Sequence, residues 1–98
     1  MWWARSHLDQ HLDRHIDLAV LARDQGMSVR QFSRCFVAAW GLTPQAYHLQ
    51  ARLAHAAGLL RQPGMTVAEV ARQVGYADGF TFSKAFSRWA GVPPTRFR

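Results

Sequence analysis

Apolar positions recur along the chain every three or four residues, in runs separated by glycine, proline and small polar residues. No stretch sustains the alternation of a strand, so the pattern predicts helices throughout. Residues 4–15 read as a first helix, with Leu8 and Leu12 on its inner face beside Trp3 or Ile16. Asp17 caps a short second helix, LAVLARDQ, that stops at Gly26. Ser28 and Gln31 have the spacing of a capping box, which opens a helix running to Trp40 and stopping at Gly41. Thr43-Pro44 starts a long helix through Gln62, since a proline at the first helical position loses no hydrogen bond there. Pro63-Gly64 ends it. Thr66 with Glu69 repeats the capping-box spacing ahead of VAEVARQV, which halts at Gly75. Asp78 or Gly79 begins the next helix, to Ala90 with Gly91 as its stop, and Pro93-Pro94 starts a last short turn. The expected fold is all-α, with about seven helices.

The pattern is written twice. VRQFSRCF, residues 29–36, returns as GFTFSKAF, residues 79–86, pairing Phe32 with Phe82, Ser33 with Ser83, Arg34 with Lys84 and Phe36 with Phe86. Upstream, DLAVLARDQG (17–26) matches TVAEVARQVG (66–75), and downstream Gly41 and Pro44 match Gly91 and Pro94. Each copy is a short helix, a glycine turn, a longer helix and a glycine stop, which is the grammar of a helix-turn-helix. The expected division is a first helix-turn-helix subdomain over about 5–42, a linker helix over 43–62 and a second subdomain over 65–98.

At about 100° per residue, Val29, Phe32, Phe36 and Ala39 share one face of the first longer helix, and Arg30, Ser33, Arg34 and Val37 share another. In the second copy Phe82, Phe86 and Trp89 turn inward while Phe80, Ser83, Lys84 and Ser87 face out. The phenylalanines are scaffold; the polar strips are what the scaffold presents. Cys35, beside Phe36, reads as a small core residue, and Trp40 and Trp89 as core near helix ends. Trp2-Trp3 reads as a hydrophobic cap on the first helix, with a contact to a missing domain as the other option.

Charge sharpens the picture. The formal net charge is +6, yet residues 1–26 carry three Arg against four Asp, while residues 27–98 carry nine cations against Glu69 and Asp78. A basic remainder of this kind favours a polyanionic partner. A major groove admits one helix, whose first turns reach base edges, and Arg bidentate to guanine is the commonest specific contact. The 19 residues from Pro44 to Gln62 would span about 28 Å, close to the roughly 34 Å between successive major-groove segments on one duplex face. One chain is thus expected to read two adjacent groove segments of double-stranded DNA without dimerising.

Other chemistry finds little support. The acids are few and scattered, and no phosphate loop or nucleophile elbow occurs, so no enzyme activity is expected. His7, His11 and His15 recur every four residues, but Asp9 and Asp13 lie off that face, so neither metal nor cofactor is expected. No run approaches the roughly 18 apolar residues of a membrane span, and MWWARSHLDQ lacks the apolar core of a signal peptide. With a lone cysteine, Cys35, the expected location is the cytoplasm, at the nucleoid, and no membrane partner is expected. A protein-interaction module that uses this fold without DNA is the alternative.

From about residue 5 to 98 the chain resembles the AraC/XylS-type transcription regulators. The carrying residues are LAVLARDQGMSVRQFSRCFVAAWGLTPQAY and LLRQPGMTVAEVARQVGYADGFTFSKAFSRWAGVPPTRFR, including A-x-x-V-G-[FY], F-S-[KR]-x-F and G-x-x-P. The resemblance implies two helix-turn-helix subdomains on a long helix, and binding to promoter DNA, most often as an activator that contacts RNA polymerase. It places base reading on Arg30, Gln31, Ser33 and Arg34 of helix 28–40, and on Phe80, Thr81, Ser83 and Lys84 of helix 79–90. Phosphate contacts fall on Ser28, Thr43, Gln45 and Thr66 at helix starts. Two departures stand out. Gly79-Phe80 replaces the usual polar residues, with Phe80 expected either to touch thymine methyls or to pack inward, so the first unit is expected to supply most specificity and the second mainly to anchor. Most family members also carry a sensing or dimerisation domain ahead of this region; with nothing before Met1, the chain reads as a dissected C-terminal domain or a short stand-alone regulator.

Overall fold

A computed structural model describes residues 1–97; Arg98, at the end of the resemblance, lies outside the described residues. Among the described residues seven helices follow in order: α1 (Trp2–Asp9), α2 (Leu18–Asp24), α3 (Val29–Trp40), α4 (Pro44–Leu60), α5 (Val67–Gln73), α6 (Gly79–Ala90) and α7 (Pro94–Phe97). Local chemistry explains most of their bounds. Asp17, Ser28, Thr43, Thr66 and Asp78 each accept a hydrogen bond from the first turn of the helix they precede. At Ser28 the capping box is complete; at Thr66 only the forward bond, from Glu69 N–H, is made among the described residues. Both longer helices of the repeat end on a left-handed glycine, Gly41 at φ 80° and Gly91 at φ 81°.

Two bounds differ from the periodicity. α1 begins at Trp2 and ends at Asp9, where the expected helix covers 4–15. Its last turn closes early because Nδ1 of His11 hydrogen-bonds the His7 carbonyl at 2.7 Å, while His11 N–H reaches back only to Leu8. The three histidines therefore form no row: the His7 and His11 rings stack at 4.2 Å, and His15 lies on the following loop. α4 stops at Leu60 because Arg61 and Gln62 bond three residues back, to Gly58 and Leu59. Its 17 residues span about 25 Å rather than 28 Å.

Two cores form, one per repeat, strung along a body 44 Å long and about 20 Å thick. In the first, α2 packs on α3, and Phe32 and Phe36 are fully buried with Ala4, Leu8, Leu21 and Ala22. Trp3 tilts against Phe32 at 6.0 Å and Tyr47 meets Phe36 edge-on at 5.7 Å. In the second, α5 packs on α6, with Phe82 and Phe86 fully buried among Leu53, Leu60, Val70 and Val74. Tyr76 and Phe97 take the places of Trp3 and Tyr47, at 5.6 Å from Phe82 and 5.1 Å from Phe86. Each buried phenylalanine contributes about 1.5–3 kcal/mol, enough to set the angle of its helix.

The packed stripe is narrower than expected. Val29 is 42% exposed, and Ala39 and Cys35 are exposed as well, so Cys35 is no core residue. The two phenylalanines of α3 are the only residues of that helix that reach full burial. Trp89 stands edge-on to Phe86 yet remains 39% exposed, and Trp40 is half-buried at the rim of the first core. The Trp40 indole donates to the Met1 carbonyl, with the Arg5 guanidinium 4.2 Å above its ring. Trp3 caps the first core while Trp2 stays 73% exposed.

The cores are also joined through α4. His48, buried on α4, donates from Nε2 to the His11 carbonyl at 2.8 Å, and Tyr47 donates its hydroxyl to Asp9 at 2.8 Å. One turn on, the buried Arg52 donates from Nε and Nη2 to the carbonyl of Val74 and lies 4.6 Å above the Tyr76 ring. Its Nη1 sits 3.1 Å from Nδ1 of His15, on the loop of the first unit. Gly75 meets that loop directly: a Cβ there would lie 2.8 Å from the Asp13 carbonyl oxygen. With φ at 85° and backbone on its open side, this position has room only for glycine.

Candidate nucleic-acid interface

Each candidate strip sits on a helix pinned from behind by two buried rings. On α3, Arg30 and Arg34 are exposed one turn apart, Ser33 is half-buried at their flank, and together with Val37 and Ala38 they line one shallow groove. Gln31 is exposed, but its amide oxygen accepts from both the backbone N–H and the hydroxyl of Ser28. Only its amide N–H donors are left to face a ligand.

On α6, Phe80 is 74% exposed and Lys84 holds its Nζ 5.4 Å from the centre of that ring. Thr81 is exposed beside them, and Phe80, Thr81, Lys84, Ala85 and Arg88 line a second shallow groove. Ser83 and Ser87, both assigned to the outer strip, are half-buried at its edge. Arg88 was not among the candidates. Its spacing, four residues beyond Lys84 and eight beyond Phe80, is the signal that would have found it.

The cations of the two strips are therefore placed differently. In α3 they occupy the first two turns, at Arg30 and Arg34. In α6 they occupy the second and third, at Lys84 and Arg88, and Phe80 takes the leading place. None of the four has a carboxylate partner: among the described residues the single ion pair is Arg14–Asp13. Solvated, unpaired cations on a fixed helix face are what a phosphate backbone or a guanine edge can engage without first breaking an internal bond.

The four helix-start residues divide. The hydroxyl oxygens of Ser28, Thr43 and Thr66 each accept from a backbone N–H three residues on, at Gln31, Ala46 and Glu69, all at 3.1 Å. Thr43 and Thr66 keep a hydroxyl proton to donate, while Ser28 gives its own to Gln31. Gln45 is exposed and lines the cleft between α4 and the α1–α2 loop, with His15, His48, Arg52 and Tyr76. That cleft is separate from both grooves.

Electrostatics at the joint favour neutral histidines. Burial is the main reason that His15 and His48 lie below the ordinary histidine value, and the Arg52 cation adds to it for both. The hydrogen bond to the His11 carbonyl partly opposes this at His48. Bonds from Thr81 hold the Asp78 carboxyl below its usual range, so the cap of α6 stays ionised at the helix start. Among the described residues no group of three or more His, Cys, Asp or Glu side chains is placed to hold a metal ion. Among the described residues no helix is long and apolar enough to cross a membrane.

Residues 21–98 match the family model of a helix-turn-helix domain. The probable transcriptional regulator LumQ of Photobacterium leiognathi is 32% identical over 93 residues, covering 95% of this chain and 38% of that protein. Among solved structures, a transcriptional regulator with an AraC-type DNA-binding domain from Chromobacterium violaceum is similar with a TM-score of 0.85 at 26% identity, over 97% of this chain and 85% of that one. The DNA-binding domain of AdpA, solved in complex with a target DNA, gives a TM-score of 0.87 at 27% identity, over 97% of this chain and 86% of that one. The chain spans less than two-fifths of the length of these curated relatives, 38%, 28% and 21% for three of them.

Proposed function

The chain belongs to the AraC-type helix-turn-helix family, and from that footing we propose that it is the double-stranded-DNA-binding part of a transcription regulator. The observation that carries the proposal is the pair of unpaired cationic strips, Arg30/Arg34 and Lys84/Arg88, each on a helix anchored by two buried phenylalanines. In this reading residues 5–42 and 65–98 are the two reading units and α4 is the strut that spaces them. α3 and α6 enter successive major-groove segments, for which a 44 Å body is long enough. Arg30, Arg34, Ser33 and the free amide donors of Gln31 read bases in the first segment. Phe80, Thr81, Ser83 and Lys84 serve the second. Ser28, through its helix-start amides, joins Thr43, Gln45 and Thr66 in meeting phosphates.

The finer assignment, promoter binding as an activator in contact with RNA polymerase, rests on family resemblance. So does a sensing or dimerisation domain as partner, while a cytoplasmic, nucleoid-associated location rests on the lone cysteine and on the DNA-binding reading. The decisive experiment is selection of bound duplexes from a random-sequence pool, followed by titration of one selected duplex at several salt concentrations. Enrichment of a defined sequence, with affinity falling steeply as salt rises, is the expected result. Failure to enrich any duplex would overturn the proposal in favour of a protein-interaction module.

A further inference from the structure

Position by position, the leading strip of α6 has exchanged hydrogen-bonding groups for methyl and ring carbon. Where α3 presents Arg30 and Gln31, α6 presents Phe80 and Thr81, and the groove is completed by Ala85. Phenylalanine, the threonine methyl and alanine are the side chains that make apolar contact with the C5 methyl of thymine in a major groove. Phe80 and Thr81 are exposed and Ala85 is half-buried at the edge of the second core, and Lys84 and Arg88 line the same groove one and two turns beyond Phe80. Phe80 is not folded back onto the core to relieve its exposure: 74% of it faces solvent, and the Lys84 ammonium lies 5.4 Å from the centre of its ring. A ring left in water in this way regains free energy only when an apolar group covers it. The two cations in the same groove make a phosphate-bordered partner the surface that fits, since an apolar protein patch would leave both charges uncompensated.

We infer that α6 recognises thymine through its C5 methyl group, with Phe80 the specificity-determining residue and Thr81 and Ala85 completing the contact. This rests on the DNA-binding reading above and divides the labour between units. α3 selects by hydrogen bonds from Arg30 and Arg34, whereas α6 selects by a methyl group that cytosine and uracil lack.

The test uses a duplex selected by the unmodified chain, synthesised once with thymine and once with 2′-deoxyuridine throughout the segment protected by α6. The two duplexes pair alike and differ only in the C5 methyl. The unmodified chain is expected to bind the uracil duplex about three- to tenfold more weakly. Phe80→Ala, whose exposed position leaves folding intact by circular dichroism, is expected to bind both duplexes equally and at the weaker level. Replacing cytosine by 5-methylcytosine at a position where thymine was selected should restore part of the affinity lost on replacing that thymine by cytosine. Equal binding of thymine and uracil duplexes by the unmodified chain, with affinity still lost in Arg34→Ala, would overturn methyl reading and leave the DNA-binding reading standing. If no duplex is selected at all, both fall together.

Discussion

Arg52, in the middle of α4, donates twice to the carbonyl oxygen of Val74, from Nε at 2.9 Å and from Nη2 at 2.6 Å. The carbonyl lies at the end of α5, where no residue further along the helix donates to it. A guanidinium fork closes that end while its stem crosses from one unit to the other. Arg52 thereby couples the strut, the second helix-turn-helix and, through His15, the loop of the first.

Arg52→Met keeps much of the stem but removes the donors. It is expected to cost about 1–3 kcal/mol of stability, because a buried carbonyl loses its partners. Denaturant unfolding checks this. DNA affinity should fall as well, although Arg52 is buried away from both grooves, because the relative pose of α3 and α6 loosens. Unchanged stability would mean that Val74 finds another donor.

Gly75 and Gly26 occupy matching places in the repeat and both have positive φ, at 85° and 68°. A Cβ at Gly26 meets nothing within 4 Å, whereas one at Gly75 strikes Asp13 and Arg14 backbone at 2.8–3.0 Å. Gly26→Ala is expected to cost about 1–2 kcal/mol, the penalty of a left-handed residue with a side chain. Gly75→Ala carries that penalty plus displacement of the α1–α2 loop, so its loss should be clearly larger in parallel thermal melts. Equal losses would deny the contact between the two units.

The neutral histidines set a pH dependence. His48 and His15 are held below the ordinary value of about 6.5, so between their folded values and about 6.5 the folded chain binds fewer protons than the unfolded chain. The stabilising effect is complete above about pH 6.5 and is lost as pH falls below it. Melting temperature should be level from pH 7 to 8 and decline from 6.5 towards 5. The decline should be shallower in His48→Gln, which can still donate to the His11 carbonyl. A midpoint that rises on acidification would reverse the assignment.

Arg34→Ala is expected to cost about 1–3 kcal/mol of binding and to relax preference at one base pair. Arg88→Ala, near the far end of its helix, should weaken binding to selected and unrelated duplexes alike and lower the salt slope by about one. Competition titrations with both duplex types separate the two roles. A uniform loss in Arg34→Ala would move that residue to phosphate.

Phe36→Ala removes a fully buried ring from the first core and should cost about 3–5 kcal/mol, read by denaturant unfolding. Cys35→Ala, its exposed neighbour, should leave stability within about 0.5 kcal/mol. The contrast between adjacent positions tests the orientation of α3 directly.

How much was legible follows from the range of each interaction. The caps at Ser28, Thr43, Thr66 and Asp78 act over two or three residues, and the phenylalanine pairs over four, so reading along the chain found them. The extent of α1 escaped because a side chain, His11, ends that helix by taking the His7 carbonyl, a choice that periodicity does not encode. Cys35 and Val29 were misplaced because helical angle gives direction, while burial also requires a neighbour on that side.

The residues alone therefore determined the seven-helix order, the duplicated helix-turn-helix and the outward setting of Arg30, Arg34 and Lys84. These depend on local hydrogen bonds and on a 3.6-residue period carried by consecutive side chains. Only the tertiary structure decided that Arg52 reaches Val74 and His15, across 22 and 37 residues, and that Gly75 presses on Asp13. Those contacts exist because α4 brings together two units whose separate sequences carry no mark of each other.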